Sequence, residues 1–115
     1  MQVRDTIAMH HRDRAGILSA LDRPFDGPRV VMTHHVPIPE MIQPRFVGDV
    51  LTPAFVSDLR PEITTRRIDA WICGHTHPPI ETALDGAHGP IPFLANCRGY
   101  PGETTNFVFP RLLSL

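Results

Sequence analysis

Thirteen prolines in 115 residues constrain this chain more than any other feature. Each one fixes its own φ, lacks a backbone N–H and biases the preceding residue away from helix. The pattern predicts many loops and few long elements. From about Asp5 to Leu21 the chain reads as a helix, with Ile17, Leu18 and Leu21 at helical spacing and Pro24 ending the run. Phe25-Asp26-Gly27-Pro28 reads as a turn, and Arg29 to Thr33 as a short strand, apolar on both faces as buried parallel strands are.

From Val36 to Val50 the sequence is proline-rich and irregular. Thr52-Pro53 has the form of an N-cap followed by proline at the first helical position. Phe55, Val56 and Leu59 would form one apolar face of a helix reaching about Arg60. Ile68 to Cys73 predicts a second buried strand. Glu81 to Leu84 and Ile91 to Ala95 predict a hairpin across Asp85-Gly86-Ala87-His88-Gly89-Pro90. Asn96 to Thr105 reads as a loop and Phe107 to Phe109 as a last short strand. The whole is an α/β chain: a βαβ unit followed by a β-meander.

Charge and cysteine content exclude several function classes. The formal net charge of -1 gives no footprint for nucleic acid or an anionic membrane. No apolar run approaches membrane-spanning length, and the N-terminus lacks the apolar region of a secretory signal. Cys73 and Cys97 form no CxxC pair, so a reducing cytoplasm is the expected compartment.

The chemistry concentrates in histidine, of which there are seven. Val30-Val31-Met32-Thr33 leads directly into His34-His35, and Ala70-Trp71-Ile72-Cys73 leads into Gly74-His75-Thr76-His77. Neutral imidazole is a common ligand for divalent metals. In α/β sheets ligands gather beyond the carboxyl ends of parallel strands, where both histidine groups fall. Gly74 permits a tight exit, and Pro78-Pro79 stiffens the far side of the loop. Alternation along an extended segment would put His75 and His77 on one side. Adjacent side chains diverge, so at most one of His34 and His35 is expected to bind metal, while the other faces substrate or packs.

The other candidates carry plainer readings. His10 and His11 lie on the helix surface, and His88 sits in the hairpin turn. Asp49 reads as a loop carboxylate that caps the next helix. Arg98 either binds phosphate bidentately or pins its loop through backbone carbonyls. Trp71 and Phe93 read as core, and Cys73 as an inert packing residue.

These motifs, in this order, resemble the calcineurin-like metallophosphoesterases. Asn96-Cys97-Arg98-Gly99-Tyr100-Pro101-Gly102-Glu103 is similar to a loop in a bacterial branch of that superfamily, which usually has proline at the position of Cys97. The resemblance covers nearly the whole chain and implies a fold of two stacked sheets between helices. It also implies two divalent metal ions (Mn, Fe, Zn or Ni), with His34 and His75 on the second and His77 on the first. The substrate would be a phosphate mono- or diester, with His35 and Arg98 as candidate contacts.

The family pattern begins with Asp-x-His, Gly-Asp-x-x-Asp and Gly-Asn-His motifs, which carry the carboxylates and the catalytic histidine. None is present here, so no catalytic residue is assigned. Residues 1–115 are expected to be the C-terminal part of one metallophosphoesterase domain, with weak metal affinity and no activity in isolation. Open strand edges and bare apolar faces imply a complementary N-terminal half or self-association. The alternative is a non-catalytic metal-binding or interaction remnant of the family.

Overall fold

A computed structural model describes residues 2–115, and its mixed sheet is built where the sequence is most apolar. Helix α1 (Val3–Leu21) is followed by strand β1 (Val30–Thr33), helix α2 (Arg60–Ile63), and strands β2 (Ala70–Cys73), β3 (Ile80–Gly86) and β4 (Gly89–Ala95). Short 3-10 turns at Pro39–Met41, Pro44–Phe46 and Thr52–Ala54 shape the connection from β1 to α2. The four strands form one sheet in the order β1-β2-β4-β3. Strands β1, β2 and β4 run parallel, and β3 is antiparallel to β4.

Three expectations need correction. First, the strands after β2 are not a meander: β4 returns between β2 and β3, so the hairpin's second strand pairs with β2. Pro90 and Pro92 are tolerated there because β4's pairing with β2 begins only at Phe93. Second, no helix runs from Thr52 to Arg60. Val56 bridges to Val36, and the N–H groups of Ser57 and Leu59 donate to the carbonyls of Val36 and Pro37. Those donors are lost to a helix, which starts only at Arg60 after Asp58 accepts the Arg60 N–H. Third, Phe107 to Phe109 forms no strand. Val108 is instead held in both directions by the side-chain amide of Asn96, at 2.8 and 3.1 Å.

One face of the sheet carries the core. Val31, Trp71 and Phe93 are in register across β1, β2 and β4 and are all buried. Ile38, Met41 and Ile63 close over them from the connection and α2, each fully buried. The indole N–H of Trp71 donates to Thr33 Oγ1 at 3.0 Å, so its polar edge is satisfied. Helix α1 sends Ile17 and Leu21 to this core and is anchored by ion pairs from Arg14 to Glu62 and Arg66 to Asp22.

The opposite face of β1 is bare. Val30 is 41% and Met32 74% exposed, so β1 is buried on one side only, contrary to its two-sided apolar pattern. Strand β1 is also an edge of the sheet. No helix among the described residues is long and apolar enough to cross a membrane.

This asymmetry has a direct test by chemical denaturation. Ile63→Ala should lower the unfolding free energy by about 2–5 kcal/mol, through lost burial and the cavity it leaves. Met32→Ala should change it by no more than about 0.5 kcal/mol. Comparable losses in the two variants would mean that the outer face of β1 is covered.

Candidate metal site

The site grows out of the β1–β2 pairing. Thr33 and Cys73 are register partners at the ends of the two strands. One residue further on, Gly74 N–H donates to the His34 carbonyl at 3.0 Å, carrying the ladder past the last strand residues. A Cβ on Gly74 would come within 3.3 Å of His34 Nδ1, so glycine lets the second chain segment lie directly against the first histidine.

Beyond this contact both segments turn sharply. Thr33 Oγ1 donates to the His35 carbonyl at 2.7 Å, which bends the exit of β1. His75 and His77 have φ of 63° and 60°, a left-handed backbone uncommon for residues with a Cβ. Thr76 between them donates its N–H to Gly74 and its hydroxyl to Pro78, and its carbonyl accepts the side-chain amide of Gln43.

These bends bring His34, His35 and His75 together, with one ligand nitrogen from each lying within 4.8 Å of the others. The ring centroids are 5.0 Å apart for His34–His35, 5.4 Å for His34–His75 and 5.0 Å for His35–His75. The expected divergence of His34 and His35 is not observed, because alternation holds only along an extended strand and both residues lie past its end.

His77 leaves this group for the same reason: the left-handed turns at His75 and His77 abolish the extended geometry that would align their rings. Its Nδ1 lies 2.8–3.0 Å from the Glu103 carboxylate, and its ring stands edge-on to Tyr100 at 4.7 Å. Glu103 also accepts the Tyr100 N–H at 2.8 Å. Gly99, at φ +79°, makes this packing possible, since a Cβ there would fall 2.6 Å from the Glu103 carboxylate.

Phe55 is the main residue that the sequence pattern does not reveal. It stacks on His75 at 4.6 Å and stands edge-on to His35 at 5.5 Å. Glu103 is the other. Neither lies near a histidine motif in sequence; Glu103 ends the loop quoted for the family resemblance, but nothing local signals its contact with His77. Arg98 is exposed and lines a separate shallow hollow, and its carbonyl accepts the Thr105 hydroxyl. Asp49 turns its carboxylate to the Leu51 N–H at 2.8 Å, inside its own loop. His10, His11 and His88 are exposed, away from the cluster. Cys73 is buried, and desolvation aided by nearby Cys97 pushes its thiol up to about 12, so it is not available as a thiolate.

Electrostatics favour the uncharged rings of His35 and His75. Partial burial, then repulsion from neighbouring imidazoles, lowers the pKa of His35 and of His75. Glu103 is lowered as well, chiefly by the Tyr100 N–H and then by His77. Three imidazoles match the ligand count of a single zinc-like ion. Ligand atoms on a tetrahedral ion at ~2.1 Å stand about 3.4 Å apart, so modest ring movement suffices. The donor set does not fit a complete two-metal centre, because the cluster contains no carboxylate and the nearby Glu103 is engaged by His77.

No family model, curated protein or solved structure matches this chain.

The lowered histidines set a pH dependence for the metal-free chain. Their folded pKa values lie below the ordinary 6.5. As pH falls through 6.5 the unfolded chain takes up protons that the folded chain resists, so stability declines in that window and is flat above it. Thermal unfolding in chelator should therefore show a midpoint that falls from about pH 7 to about pH 5. The double variant His35→Gln, His75→Gln should flatten that slope; an unchanged slope would assign the effect to other groups.

Proposed function

We propose that this chain supplies the C-terminal, histidine-bearing side of a two-metal phosphoesterase centre that hydrolyses a phosphate mono- or diester. The observation that carries the reading is the meeting of His34 and His75 at the C-terminal ends of adjacent parallel strands, with His77 in the same turn. That is the order and placement of the last two metal motifs in the family the sequence resembles.

In this reading His34 and His75 hold one ion. Glu103 fixes the ring of His77 through Nδ1 and leaves its Nε2 lone pair for the other. Phe55 stacks on one face of the His75 ring, which is otherwise exposed. When bound, the metals supply charge that orients the phosphoryl oxygens and activates a water. The bridging and terminal carboxylates come from another segment. The exposed edge and bare face of β1 suit docking of a complementary half, or of a second copy.

One observation favours a second reading, a non-catalytic metal-binding module. His35 joins His34 and His75 in a group of imidazoles alone, a set that suits a single ion without any partner segment.

Calorimetric titration of Mn²⁺ and Zn²⁺, with assay of bis(p-nitrophenyl) phosphate, separates the two. The phosphoesterase reading expects weak metal binding and no turnover by the isolated chain. Turnover should appear on co-expression with an upstream-encoded segment carrying Asp-x-His and Gly-Asn-His motifs, and His34→Ala or His75→Ala should abolish it. Tight one-to-one zinc binding that is lost in His35→Ala, with no turnover under any condition, would establish the second reading instead.

A further inference from the structure

Beside the histidines lies a cavity of about 330 Å³, formed largely by the connection between β1 and α2. That volume is at the lower end of the roughly 300–1,000 Å³ typical of small-molecule sites, enough for one flat ring system. Phe46, Leu51 and Phe55 line it, and they remain 40%, 65% and 37% exposed. A ligand lying against them would remove apolar surface from water. Arg45, His75 and His77 border the same space.

The loop is shaped in advance. Thr52 Oγ1 donates to the Phe46 carbonyl at 2.7 Å, and the Gln43 side chain ties the loop to Thr76 between the two histidines. Arg45 lies over the Phe46 ring, its guanidinium carbon 4.6 Å from the ring centre. Two carboxylates stand near the cavity, and both are engaged: Asp49 accepts the Leu51 N–H, and Glu103 accepts the Tyr100 N–H and pairs with His77, which offsets part of their repulsion of an anion.

We propose that this cavity binds an aromatic phosphate ester, its flat ring against Phe46 and Leu51 and its phosphate at Arg45 and the histidines. The inference rests on the phosphoesterase reading and names its substrate class. A planar ring matches aromatic and aliphatic walls that leave one ring's worth of space. A phosphate matches the forked donors of a guanidinium at the rim. An alkyl phosphate would satisfy the charge but leave the apolar wall wet, and a phenol would do the reverse.

The test is calorimetric binding to the folded 115-residue chain, in chelator so that no turnover occurs. The probes are 1-naphthyl phosphate, 1-naphthol and glycerol 2-phosphate. Naphthyl phosphate should bind at least about tenfold more tightly than either of the others. Arg45→Ala and Phe46→Ala should each weaken it by about tenfold, with circular dichroism confirming that both variants fold. Both side chains are surface-exposed, so neither substitution opens the core.

Equal affinity for glycerol 2-phosphate or for 1-naphthol would overturn the inference, as would no binding or affinity unchanged in both variants. Its failure is separable from that of the phosphoesterase reading. Tight naphthyl phosphate binding with no hydrolysis in the complemented, metal-loaded protein would sink the hydrolase and leave the cavity standing. Equal hydrolysis efficiency for naphthyl and glycerol esters would do the opposite.

Discussion

The hydrogen bond from Gly74 N–H to the His34 carbonyl is the contact on which the rest of the site depends. It continues the parallel β1–β2 ladder one step beyond the strands, where a side chain on Gly74 would press on the His34 ring. With that step in place, two loops that must diverge are held together at their roots. The core beneath fixes the register: Val31, Trp71 and Phe93 share one face, and a one-residue slip would put them on the bare one. Burial at residues 31, 71 and 93 and histidine placement at 34 and 75 are thus one constraint.

The strands and α1 were legible because apolar runs and helical spacing are local signals. The hairpin turn was equally legible, and it closes on Ala87 and His88 between paired Gly86 and Gly89. What could not be read was competition between segments. Thr52-Pro53 is a sound helix start, but the N–H groups beyond it go to Val36 and Pro37. Insertion of β4 beside β2 likewise depends on packing of Phe93 against Trp71, not on any pattern within the hairpin. Three of the histidines that the pattern singled out do meet, from the two loops that follow β1 and β2. Ring directions within them depended on left-handed backbone at His75 and His77, which sequence alternation does not foresee.

Left-handed backbone at two histidines two residues apart costs roughly 1–3 kcal/mol each. The surroundings hold them there through the bonds of Thr76 to Gly74, Pro78 and Gln43. Glycine at either position would relieve that strain and remove the imidazole. The loop therefore favours ring placement over backbone comfort, as sites do when side-chain direction matters more than local stability.

The two histidines of this loop are also given opposite electrostatic surroundings. His77 is fixed by a carboxylate, whereas His75 is stacked on Phe55 and faces two more imidazoles. A carboxylate behind an imidazole orients it and makes it a better donor to a cation; an aromatic face and neighbouring rings raise the cost of a proton without supplying any counter-charge. A cation shared by these imidazoles would use the ring lone pairs and would not require the protons that His35 and His75 resist. In the proposed centre the charge balance near His75 then has to come from carboxylates outside the cluster, while the His77 side brings its own in Glu103. In that proposal, the asymmetry of one short loop would leave the His75 side more dependent than the His77 side on carboxylates from elsewhere.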